Sequence, residues 1–135
     1  MSELGQCEEL TLTFLAEAKA VADMRRWTRS HFELWGMPWL ADTAELCVSE
    51  LVTNVITHVG EGTPATLQLF MQAPNPRIEL TDPAPRFLPH AQTAEPHQES
   101  GRGLPLLDAL TTNWGTTQHP AGHKTVWCEL GGARL

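Results

Sequence analysis

Strand patterns in this chain arrive in adjacent pairs, and that grouping constrains the fold more than any other feature. "ELTLTFLA" alternates Leu10, Leu12 and Phe14 with Thr11 and Thr13, the period-2 signature of a half-buried strand. Two helical patterns follow with no strand between them. The first runs from about Ala16 to Trp35, with Val21, Met24, Trp27, Phe32 and Trp35 as core contacts, and "GMP" at 36–38 stops it. A second starts near Asp42 or Thr43, either of which can cap it, and runs to about Val59. Next come "ATLQLFMQ" and "RIELTD", two strands joined by the turn "APNPR". A short helix, Leu104 to Leu110, and two last strands, "NWGTTQ" and "KTVWCEL", complete the order β-α-α-β-β-loop-α-β-β. A doubly wound parallel sheet needs regular β-α alternation, which is absent. The order predicts a two-layer α/β sandwich: a mixed, mostly antiparallel sheet with helices over one face.

No internal repeat or long break divides the 135 residues, so the chain reads as one domain with room for a sizeable core. Its net charge of −7 argues against a nucleic-acid partner, because phosphate binding needs clustered Lys and Arg. The basic pair Arg25-Arg26, with Arg29 nearby, reads as a solvated helix face. No apolar run is long enough to span a membrane, and "MSELGQCEEL" lacks the pattern of a signal peptide. Cys7, Cys47 and Cys128 show no metal-binding spacing, and the last two sit in apolar contexts that suit a core. The expected compartment is the reducing cytoplasm. From 83 to 100 four prolines and two histidines interrupt all periodicity. A loop of this length in a compact domain is a functional lid or a disordered segment.

Three motifs border that loop. Glu50, Asn54 and His58 recur every four residues within "SELVTNVITHV", so they form a shallow polar stripe on an otherwise apolar helix. An Asn carbonyl, with phosphate oxygens and waters, suits Mg²⁺, and a Glu one turn away can accept a proton during attack on a phosphoryl group. Taken alone, the stripe reads first as the wet edge of a core helix. "LTDPAPR" ends an apolar strand on Asp82, which delivers a carboxylate able to accept from an exocyclic amine; an Asp before Pro is also an ordinary turn. "ESGRGLPLLDAL" places Gly101 and Gly103 before a helix, with Arg102 between them, a pattern suited to an anion or to a flexible helix entry.

In combination, "ELVTNVITH", "LTDPAPR" and "GRGLPLL" resemble the three nucleotide motifs of the ATP-binding domain shared by DNA gyrase, heat-shock chaperones and sensor histidine kinases, the GHKL family. More narrowly, the chain is similar to the small bacterial serine/threonine kinases that act as anti-sigma factors. The likeness extends from about Leu10 to Leu130, with "GHKTVWCEL" as the closing strand. It implies ATP and Mg²⁺ as cofactors, Asn54 as the Mg²⁺ ligand and Glu50 as the general base. Asp82 would bind the adenine amine, and Gly101, Arg102, Gly103 and Leu104 would meet the phosphates. His58 would stand at the edge of the site, and Thr125 on the closing strand would join the nucleotide contacts. The implied partners are a sigma factor and an antagonist protein that is phosphorylated on Ser or Thr; homodimers are also common in such kinases. One departure is plain: Asp82 is followed by Pro-Ala-Pro-Arg, where the family's box carries glycines. That departure admits a second function, a non-catalytic docking module of the same fold.

Overall fold

In a computed structural model of the chain, the described residues are 7–72, 75–83 and 104–131. Strand β1 (Cys7–Ala16) leads into helix α1 (Ala18–Leu34); a 3-10 turn (Pro38–Leu40) then joins helix α2 (Ala41–His58). Strands β2 (Thr63–Gln72) and β3 (Arg77–Asp82) follow, then helix α3 (Leu104–Leu110) and strands β4 (Asn113–Gln118) and β5 (Lys124–Glu129). Element order is as the periodicities predict. Among these residues no helix is long and apolar enough to cross a membrane.

Alternation decides which side of the sheet is dry. In β2, Ala65, Leu67, Leu69 and Met71 are buried, and in β3, Ile78, Leu80 and Asp82. Their registers match: Leu67 faces Leu80 and Leu69 faces Ile78, while β1 contributes Leu12 opposite Leu67 and Leu10 opposite Leu69. Helix α2 lays Cys47, Val48, Leu51, Val52 and Val55 on this surface, and Leu107 of α3 joins the same core. Each fully buried Leu or Ile contributes about 1.5–3 kcal/mol, so this one face supplies most of the drive to fold.

The sheet order is β1-β2-β3-β5-β4, and all four pairings are antiparallel. The sheet expected to be mostly antiparallel is antiparallel throughout the described residues. Geometry supplies the reason. Through the α3 crossover, β4 runs parallel to β3, but β5 folds back and inserts between them. No parallel strands end up as neighbours.

Both helix boundaries differ slightly from the expectation. Helix α1 ends in a Schellman motif: Gly36 takes φ 78°, its N–H reaches Glu33 O, and Met37 N–H reaches Phe32 O at 2.8 Å. Only glycine adopts that φ without strain. Helix α2 is not capped by Asp42 or Thr43. It grows directly out of the 3-10 turn, with Leu40 at the N-cap and no side-chain cap bond. Asp42 instead pairs with Arg29 of α1, which also reaches Glu45 at 2.6 Å and Glu33 at 3.2 Å. Those carboxylates, Glu45 foremost, push the Arg29 pKa further above its usual range. Arg25 and Arg26 are exposed as expected, and Arg29, with Arg25 at 3.5 Å from Glu45, ties the two long helices together.

Candidate functional site

Helix α2 holds the polar stripe on a definite flank. At roughly 100° per residue, Glu50 lies about 140° and Asn54 about 180° around the helix from Glu45. Since Glu45 bonds to α1, the stripe borders the side of α2 that α1 leaves uncovered. Helix α3 also packs against α2. Glu50 and Asn54 are half-buried and His58 is exposed. The apolar residues between them, Leu51, Val52 and Val55, are the ones that anchor α2 on the sheet. The stripe therefore rides on a rigid element.

Asp82 closes β3 on the helix-covered face, in phase with Ile78 and Leu80, and is only 2% exposed. A carboxylate this deep needs compensation. Its cross-strand partner on β5 is Lys124, whose Nζ stands 3.9 Å from Asp82 Oδ2. Lys124 did not figure among the sequence candidates, although counting back by twos from Cys128 through Val126 reaches it.

Thr125 lies elsewhere. Successive side chains on a strand point to opposite faces, so Thr125 is on the outer surface of the sheet, away from Asp82. There its Oγ1 meets Thr81 Oγ1 at 2.7 Å and His119 Nε2 at 2.8 Å. The expected contact of Thr125 with a ligand on the Asp82 face is therefore corrected, and the residue of β5 on that face is Lys124. Residues Gly101, Arg102 and Gly103, and the lid beyond Pro83, fall outside the described residues; the Leu104 backbone opens α3.

Among the described residues no three His, Cys, Asp or Glu side chains converge as a metal cage. Mg²⁺ brought in by phosphates needs only one or two protein oxygens. An amide carbonyl at Asn54 with a carboxylate one turn away meets that demand, so the residues present fit such an ion. A groove of about 380 Å³ between α1 and β1, lined by Glu8, Leu10, His31, Leu34 and Trp35, shares no residue with this site.

A sheet with helices on one face, a buried carboxylate ending its central strand and an Asn/Glu stripe on the helix above it define a class. The family model described as the histidine kinase-like ATPase domain matches residues 14–128, and the chain belongs to that family. An uncharacterized protein of Streptomyces coelicolor is 42% identical over 87 residues, which cover 63% of this chain and 82% of that relative.

Proposed function

We propose that the chain binds ATP with Mg²⁺ and transfers the γ-phosphoryl group to Ser or Thr of an antagonist protein, in the manner of an anti-sigma-factor kinase. Asp82 carries the reading: it ends the central strand on the helix-covered face, almost fully buried, where a carboxylate can accept from an exocyclic amine. In this reading Asp82 accepts from the adenine amine, and Asn54 supplies a carbonyl oxygen to Mg²⁺. Glu50 takes the proton of the attacking hydroxyl. His58 borders the site; Gly101, Arg102, Gly103 and Leu104 meet the phosphates. When bound, Mg²⁺ would neutralise charge on the phosphates. The sigma factor, the antagonist and self-association are parts of the same proposal, as is a cytoplasmic location.

Calorimetric titration with ATP is the primary test. Asp82→Ala is expected to weaken binding by about 1–3 kcal/mol, the usual loss for a charge-assisted hydrogen bond. Undiminished affinity in a folded variant would remove Asp82 from the site. Transfer is tested with radiolabelled ATP and candidate antagonist proteins. General-base assistance is worth about 10²–10⁴ in rate, so Glu50→Gln is expected to keep ATP and lose transfer. A wild type that binds ATP and a partner yet transfers nothing favours the docking module, to which the glycine-free segment after Asp82 also points.

A further inference from the structure

We infer that Lys124 is a base-reading residue, donating to a ring nitrogen of the bound base while Asp82 accepts from the adjoining amine. This rests on the ATP reading above and adds a specificity determinant to it. Asp82 and Lys124 are register partners on neighbouring strands, so their side chains rise side by side from the helix-covered face. One end of the pair is closed and the other open: the Asp82 side chain is 2% exposed and that of Lys124 25%. Their 3.9 Å separation exceeds the roughly 2.7–3.2 Å of a direct hydrogen bond, so this contact does not commit the ammonium's hydrogens to Asp82 Oδ2.

The chemistry of the two heads then selects the ligand edge. An ionised carboxylate only accepts, and an ammonium only donates. Together they call for an N–H next to an unprotonated acceptor. The 6-amino group and N1 of adenine are such a pair. Because the charges offset one another, a neutral base is not asked to settle on a lone buried anion. GTP is a poor comparator, since N1–H and O6 of guanine also present a donor beside an acceptor, in reversed order. The informative ligand is 1-deaza-ATP, in which a C–H replaces N1 and the amine is retained.

Both nucleotides are titrated against wild type, Lys124→Met and Lys124→Gln, with folding checked by thermal melting. Wild type is expected to prefer ATP over 1-deaza-ATP by about tenfold to a hundredfold, the worth of one charge-assisted bond. Lys124→Met is expected to erase that preference. The ratio is the readout, so any general loss from uncovering the Asp82 charge cancels. Lys124→Gln keeps a donor and is expected to retain part of the preference; Gln and Met variants behaving alike overturn the donor role. A wild type that binds ATP and 1-deaza-ATP equally defeats the Lys124 assignment while leaving the ATP reading intact. A wild type that binds neither nucleotide defeats both.

Discussion

Asn54, in the proposed function, would carry chemistry without carrying the fold. It is half-buried, on the flank of α2 opposite Glu45, while its neighbours Leu51, Val52 and Val55 do the packing. Truncating it removes an amide that the core does not use. Asn54→Ala is therefore expected to abolish the Mg²⁺-dependent part of ATP affinity and leave the melting temperature close to wild type. Titrations with and without Mg²⁺ check this, and equal losses in both would assign Asn54 another role. At this scale the sequence was readable wherever period and chemistry coincided. The stripe of Glu50, Asn54 and His58 and the terminal Asp82 were visible in it. Thr125 was carried over from a resemblance of motif, and strand alternation puts it on the other face. Thr28 escaped notice for the opposite reason: a hydroxyl residue at a fully buried position of α1 breaks the apolar pattern that marks a core.

The β4–β5 pair shows what an element adds to its residues. Gly115 and Trp127 are register partners, and a Cβ on Gly115 would lie 2.7 Å from the indole. The aromatic ring thus covers the glycine, and the Arg77 guanidinium stacks on that ring 4.1 Å from its centroid. Arg77 is itself held by Glu79 at 2.7 Å and Glu129 at 3.1 Å, so three strands are joined on the outer face. Gly115→Ala must displace the indole and is expected to cost about 1–3 kcal/mol. In a Trp127→Ala background the same change is expected to cost far less, and urea denaturation of the four proteins measures the difference. Equal costs in both backgrounds would mean that the ring is not what excludes a methyl group. None of this was legible from period alone, because a glycine in a strand pattern signals close approach without saying of what. The start of α2 was misread for a similar reason. A 3-10 turn supplies backbone bonds that a search for capping side chains overlooks.

Across the whole molecule, Cys47 on α2 and Cys128 on β5 join the helical layer to the sheet, and both are fully buried. Their apolar contexts made that placement readable. The contact between them was not, because it depends on how a helix seats on a sheet. A hydrogen bond with Cys47, and then burial, push the Cys128 thiol up from its ordinary value. The sign follows from linkage. Unfolded, this thiol ionises near pH 8.5; folded, it keeps its proton to higher pH. Its contribution to stability is complete below that range and is lost as pH rises towards the folded value. Denaturation between pH 7 and 10 is expected to show stability falling at the alkaline end, with a smaller fall for Cys128→Ala. An identical slope in the variant would assign the fall to other groups.

The place of β1 at the sheet's edge bears on how the chain is made. Every other strand lies beside a strand close to it in sequence, but β1 waits for β2, where Ala16 meets Thr63 and Cys7 meets Gln72. Two long helices are synthesised in the interval. At about 5–20 residues per second, the apolar side of Leu10, Leu12 and Phe14 stays without its sheet partner for several seconds on the ribosome. During that interval β1 is a sticky ribbon, open to chaperones or to other nascent chains. Its alternating threonines and the charges of Glu8 and Glu9 lower that hazard. Strand β1 thus waits through two helices before its sheet partner β2 exists.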